Sequence, residues 1–541
     1  MAAKENKGMT AFRLKRFGLF VKKLLKTWQG ALGLGLIMMF VVVAVFAQFI
    51  VPYTSTGQDP NNADRLLAGD RAAPSWLRSV PTFLGGNPRL SENLEFIKNP
   101  GLPKLKEWGV DGEWYFEADQ GFSCDQSDIG YPAENKIGWF RQTPRNGSIA
   151  IEYSRGSSTS PNATFVATLF SRTYFPYGGY PRRWSANFEA KVVGTSNGSL
   201  AVPMTLRVFI QPENGQRFTL WRQDFTTPTS HLSEWVFPQI SRESSVSYMD
   251  SRAAEIGYVE PRFAIPNDPL IVAFTETPGT YLYGVEVYMN DTKGYAASAY
   301  TRIYLDDLSF DTLGNSWGVL GTDHMGRDIF SQLVYGTRIS LYVGLLVSVL
   351  SVVIGLTVGL ASGYVGGALD QITMRVNDLL LVLPGLPFLI VLIAVMGAKL
   401  ENLIIFMGLL GWNGFARVVR SQTLSLRERP FVEAAKAAGA STSHIITSHI
   451  LPNVMALVYI TLASSVPGAV TAEAALSYLG FFDPQRMSWG RMLREVTDAG
   501  AVTAWWWILP PGLLISVLAV AFILLGFGLD DVLNPKLRVR R

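Results

Sequence analysis

Two kinds of pattern alternate along this chain: long apolar runs, and short stretches in which apolar and polar residues trade places. A membrane-crossing helix needs roughly 20 mostly apolar residues. The run "ALGLGLIMMFVVVAVFAQFIV" (31–51) meets that length, and five more follow at 339–361, 379–397, 403–419, 454–478 and 505–527. The first is too long for the apolar region of a signal peptide, about 7–15 residues, and is expected to be retained. Between the first and second runs lies a polar block, 60–312, that reads differently. "NFEAKVV" (187–193) and "MTLRVFI" (204–210) alternate with period two, and "GVEVYMN" (284–290) and "RIYLDDLSF" (302–310) are further strand-like runs punctuated by Gly, Pro, Asn and Ser. Many short strands with no long helical period predict an all-β sandwich of the jelly-roll kind. The expected fold is an α-helical polytopic membrane protein with six spans and an inserted, jelly-roll-like β domain.

Composition agrees: 48% of the 541 residues are hydrophobic and only 17% charged, against about 25% charged in soluble domains. The net charge of +4 is too small to argue for nucleic acid. Its placement says more, because Lys and Arg near span ends mark the cytoplasmic side. Eight basic residues lie in 1–30, and Arg417, Arg420, Arg427, Arg429 and Lys436 surround the loop 420–452. Both termini and that loop are therefore expected in the cytoplasm, with 60–312 outside. Segment 1–30 contains "AFRLKRFGLFVKKLLKTW", whose basic and apolar residues recur at helical spacing. It reads as an amphipathic helix on the membrane surface or as a plain basic flank. The single cysteine, Cys124, excludes an intrachain disulfide, no HExxH pair occurs, and no GxxxxGK[ST] phosphate loop is present. ATP chemistry would belong to another chain.

The loop "EAAKAAGASTSHIITSHILPN" (433–453) has its own physics. Pro430 suits a first helical turn, where its missing N–H costs nothing. Gly439 suits the left-handed residue that ends such a helix. Ser441 or Thr442 can cap a second helix, expected to stop at Pro452. The result is an elbow whose alanines allow either a partner's backbone or the chain's own to approach closely. Elsewhere, Gly355, Gly359 and Gly363 form a smooth ridge for helix packing. Glu473 is the one acid inside an expected span, read as a pathway residue or a structural bond. Pro384 and Pro387 should kink the third span, as a gate hinge or a packing bend. Trp114, Trp184 and Trp221 in the β block could fill its core or stack on sugar rings.

These segments resemble the ABC-importer permeases of the dipeptide/oligopeptide/nickel family, in particular the C-type subunit. Glu433, Ala434, Ala435, Gly439, Leu451 and Pro452 match the EAA loop, with His449 at the position of a consensus Ile. "LGTDHMGRDIFSQLVYGTRISLYVGL" (320–345) is similar to the signature before the second span, through Gly321, Thr322, Asp323, Gly326, Arg327 and Asp328. "DQITMRVNDLLLVLPGLPFLIVL" and "AEAALSYLGFFDPQRMSWGRML" also follow the family. The tail departs from it: Phe527 replaces an Asp, Asp530 an Arg and Asn534 an Asp. The resemblance covers 1–60 and 313–541, and the block 60–312 is an insertion.

The resemblance implies an ABC type I importer fold, no catalytic residue and no cofactor or metal on this chain. Its expected partners are a second permease subunit, two ATPase subunits carrying ATP and Mg, an extracytoplasmic binding protein and membrane lipid. The EAA loop would couple to the ATPases. Arg327 and Asp328 would contact substrate or binding protein, or form a surface ion pair. Peptides are the family's default substrate and oligosaccharides the strongest rival, nickel being disfavoured without a His/Cys cluster. A different class also stands: a permease-like anchor for an extracellular glycan-binding or sensory module.

Overall fold

The computed structural model describes residues 18–59, 67–69, 71–95, 114–127, 148–154, 163–178, 181, 183–193, 202–226, 239–241, 274, 278–291 and 300–533. The chain divides into two compact units, one of residues 1–65 and 327–541, the other of Leu66–Gly326.

The helical unit begins with residues 18–24 in a short helical stretch. Helix α1 (Trp28–Ile50) follows, opened by Thr27, whose hydroxyl accepts from the Gly30 N–H at 3.2 Å. Then come α2 (Ile329–Val365), α3 (Gly367–Val382), α4 (Gly385–Met396), α5 (Leu400–Gly411), α6 (Asn413–Arg427), α7 (Pro430–Ala437), α8 (Thr442–Tyr478), α9 (Trp489–Asp498) and α10 (Trp505–Leu533). Among the described residues, five helices or helix pairs are long and apolar enough to cross a membrane: α1, α2, α5 with α6, α8 and α10. The expected third span, 379–397, is not one straight rod, since α3 and α4 bend by 91° at their junction. A residue before proline is pushed out of the helical region, and Leu383 is extended at φ −65°, ψ 134° ahead of Pro384. If the bent pair is a single span, the total is six.

The glycine ridge of α2 lies against α6. A Cβ on Gly359 would stand 2.7 Å from the Ala416 carbonyl oxygen, and one on Gly363 at 2.7 Å from Thr423 Cβ. No larger residue fits there without moving the helices apart, so these glycines set the packing distance. Polar ties cross the same bundle: Arg420 holds Asp370 through Nε and Nη2 at 2.5 and 2.6 Å, and buried Asn377 donates to the Asn413 carbonyl at 3.0 Å.

The β unit is two antiparallel sheets. Its strands are β1 (Leu94–Glu95), β2 (Trp114–Ala118), β3 (Phe122–Ser127), β4 (Ser148–Ser154), β5 (Ala163–Phe175), β6 (Arg183–Val193), β7 (Met204–Pro212), β8 (Phe218–Phe225), β9 (Gln239–Ser241), β10 (Gly279–Asp291) and β11 (Tyr300–Leu313). One sheet runs β3-β4-β11-β6-β9 with β1 on β11, the other β2-β5-β10-β7-β8. Alternate residues of both enter one core: Ile149, Ile151, Ile303 and Leu305 from the first, Leu206, Val208, Val285 and Val287 from the second. Tyr283 and Phe310 meet between the sheets with ring centroids 4.8 Å apart. Trp114 and Trp221 are fully buried in this core, which removes them as sugar-stacking platforms. The side chain of Trp184 lies outside the described residues.

The unit's edges differ from the expected 60–312. Residues 67–69 and 71–73 pair with 314–323: Gly69 donates to the Gly314 carbonyl at 3.0 Å, Arg71 to Asp323 at 2.8 Å and Thr322 to Ala72 at 2.9 Å. Residues 314–326 therefore belong with the β unit rather than with the helices, because backbone groups among them are satisfied by its first described residues.

Candidate functional site

The elbow after α6 is built almost wholly from local rules. Pro430 takes the first position of α7. At its other end the Gly439 N–H donates to the Lys436 carbonyl and the Ala440 N–H to the Ala435 carbonyl, both at 3.0 Å. Those two bonds, with Gly439 at φ +80°, are a Schellman closure. Ser441 then opens α8, its hydroxyl accepting from the His444 N–H at 3.3 Å.

The second helix does not stop at Pro452, as its proline suggested. It widens into a π-turn over Ile446–Ile450 and runs on to Tyr478. The Leu451 N–H bonds back to the Ile446 carbonyl, five residues earlier. One extra residue in that turn accommodates a proline that an α-helical ladder would reject. The wider turn also sets His444 beside His449, ring centroids 5.8 Å apart, with Phe431 6.4 Å from His449.

The elbow has two faces. Val432, Ile445 and Ile450 are fully buried against Leu360, Tyr364, Phe415 and Val419. Arg427 donates to the Tyr364 carbonyl at 3.1 Å, and the Lys436 ammonium lies 5.4 Å from the Tyr364 ring centroid. Glu433, Ala434, Ala437, Ala438, Gly439 and Pro452 are exposed, while Ala435, His449 and Leu451 are half-buried. One face is thus clamped to α2, α6 and α8, and the other exposes Ala434, Ala437, Ala438 and Gly439 between the larger side chains of Phe431, Glu433 and Lys436.

The other candidate residues go to separate places. Gly321, Thr322 and Asp323 close the β unit: Gly321 sits at φ +72° where a Cβ would overlap the Ala72 carbonyl, and the Thr322 hydroxyl donates to the Gly69 carbonyl at 2.6 Å. Asp323 Oδ1 accepts from the Met325 N–H at 2.8 Å, and Gly326 turns the chain at φ +70°. Asp328 caps α2, accepting from the Ser331 N–H at 2.7 Å and its hydroxyl at 2.6 Å. Arg327 makes an ion pair, but a buried one, with Glu495 of α9 at 2.8 Å. Glu473 is enclosed within the helical unit, 2% exposed, and accepts from the Ser477 hydroxyl at 2.8 Å. Pro384 and Pro387 are exposed at the bend between α3 and α4.

Sequence reasoning missed Glu495 and Arg491, which complete the Arg327 cluster, although their i, i+4 spacing on a short helix was a signal. The Asp370–Arg420 tie, between residues 50 apart, left none.

Residues 355–539 match the family described as binding-protein-dependent transport system inner membrane component. The dipeptide transport system permease protein DppC of Bacillus subtilis (strain 168) is 40% identical over 219 residues, covering 40% of this chain and 68% of that protein. The chain belongs to this family. The oligopeptide transport system permease protein OppC of Escherichia coli (strain K12) is 41% identical over 217 residues, 40% of this chain and 72% of its own length. Among solved structures, a chain of the MetNI methionine ABC transporter aligns with 39% of this one at 20% identity and a TM-score of 0.30, too slight a likeness to carry an argument. This permease is accordingly a multi-pass membrane subunit of an ABC importer, with peptide permeases as its relatives.

Proposed function

We propose that the permease imports peptides as one half of a translocation pathway, and that the elbow 430–452 is where separate ATPase subunits drive it. The observation that carries this reading is the elbow's division of faces. Exposed Glu433, Ala434 and Gly439 leave room for a partner's surface, while buried Val432, Ile445 and Ile450 pass any displacement to α2, α6 and α8. Coupling of this kind needs two states with different contacts.

On this reading α3 and α4 form one broken span, giving six, with Pro384 and Pro387 at a bend that moves between states. The termini and elbow face the cytoplasm of a bacterial or archaeal cell, and the β unit, a jelly roll, lies outside, docking or replacing the capturing protein. ATP and Mg act on the partner ATPases, and a second permease subunit completes the pathway. Peptides are favoured as cargo by the names of the relatives.

The test is co-purification of the tagged permease with its ATPase partners, together with ATP-driven peptide uptake. Both are expected for the wild type, with uptake lost in Gly439→Pro. Failure to co-purify, or full uptake by Gly439→Pro, overturns the proposal.

A further inference from the structure

A cavity of about 550 Å³ opens in the helical unit, lined by Phe20, Leu345, Tyr459, Val466, Phe522 and Leu533 among others. Its volume is in the roughly 300–1,000 Å³ range of small-molecule sites, but its chemistry is unlike most of them. Among the described residues of the lining, Tyr459 supplies the only polar side chain, and the remainder are aliphatic or aromatic. A peptide would bring amide groups that such walls leave without hydrogen bonds. A hydrocarbon chain has none to satisfy.

The cavity is elongated along the helices. From Leu533 at the end of α10 its wall continues to Phe522, and on α8 from Tyr459 to Val466. At 1.5 Å per residue the α10 wall alone covers roughly 16 Å. That is about half the thickness of a hydrocarbon core, or one leaflet.

One end of the cavity is marked by charge. Phe20 lies on the short helical stretch 18–24, whose Leu24 packs on Ala463 and Leu529. Lys23 follows Phe20 by three positions, on the same side of a helix, and Lys22 and Lys26 flank it. All three lysines are exposed, and none is held in an ion pair among the described residues. Asp530 and Asp531 stand on the last turn of α10, so these three cations outnumber those two carboxylates among the described residues.

We propose that the cavity holds one acyl chain of a phospholipid, whose phosphate is taken by Lys22, Lys23 and Lys26. The lipid then wedges between the N-terminal stretch, α8 and α10, and ties the helix that leaves the elbow to the membrane leaflet beside it. That leaflet is the cytoplasmic one, a detail that rests on the orientation proposed above.

The test uses the full permease with its co-purified partners in nanodiscs. Phosphatidylglycerol carrying a photoreactive diazirine near the end of one acyl chain is compared with the diacylglycerol of the same chains, which lacks phosphate. Irradiation and peptide mapping are expected to place the phospholipid label on 459–466 and 522–533. Each interfacial lysine strengthens the hold on an anionic headgroup roughly fivefold. Replacing all three by Gln should therefore lower that label about a hundredfold, and diacylglycerol should label as weakly as that variant. Leu462 also lines the cavity, and Leu462→Trp, which narrows it, should weaken labelling at both segments.

Equal labelling by the two lipids, no effect of the lysine substitutions, or phospholipid label that falls outside 459–466 and 522–533 overturns the proposal. Should Leu462→Trp misfold, the lysine variant still decides. The labelling is read on the permease itself, with or without bound ATPases, so failure of this site and failure of the transport reading are separable.

Discussion

Arg327 and Glu495, 168 positions apart, meet at 2.8 Å with both side chains almost out of solvent. Glu495 Oε1 also accepts from Arg491 Nε at 2.9 Å, and Arg491 reaches the Pro484 carbonyl at 2.8 Å. One carboxylate thus pins the entrance of α2 to α9. The arginine of the signature before α2 serves architecture here.

Removing the shared carboxylate is the first prediction. Glu495→Ala takes the carboxylate away from the buried Arg327 guanidinium, and breaking a buried pair from one side costs about 3–5 kcal/mol. Arg494→Ala, which breaks the exposed Arg494–Asp498 pair on the same helix, should cost about 0–1 kcal/mol. Unfolding of the purified permease in one detergent measures both, and equal losses would refute the distinction.

The glycine ridge supplies the second. Gly359→Leu must push α6 away from α2, and overpacking of this kind costs about 1–3 kcal/mol or more. Gly35→Leu on α1, where a Cβ would meet nothing within 4 Å, should stay within about 0.5 kcal/mol of wild type. Melting temperatures of the two variants make the comparison.

The elbow gives a third, separate from transport. Gly439 sits at φ +80° with open space around it, so the constraint is conformational rather than steric. A β-branched side chain there costs about 1–2 kcal/mol, whereas Asn is tolerated at such closures. Hydrogen exchange over 430–445 should speed up in Gly439→Val and stay near wild type in Gly439→Asn.

The fourth concerns acid. The Thr205 hydroxyl, 2.6 Å from Asp224 Oδ1, holds that carboxyl below its ordinary value of 3.8, with Arg222 adding to the effect. A depressed folded value means that the stabilisation is present above pH 3.8 and lost as pH falls through the lower folded value. Asp224 is largely exposed, so about 0.2–1 kcal/mol is at stake. Exchange of the β7–β8 amides should rise on acidification through this window, and Asp224→Asn should remove that part of the rise.

The sequence by itself determined the apolar helices, the strand character of 187–193, 204–210, 284–290 and 302–310, and both ends of α7. Each follows from a short-range rule: burial period, proline at a first turn, glycine at positive φ, a hydroxyl cap. Only the tertiary structure decided that α8 passes through Pro452, that Arg327 answers to Glu495, and that the segment 314–323 closes the β unit through 67–73. Those outcomes depend on what meets across long stretches of chain, or, at Pro452, on whether packing carries a helix through a residue that alone would end it. Proline disfavours the ladder locally, yet buried Ile445, Ile450 and Val454 on either side of it hold more apolar surface than one lost hydrogen bond can offset.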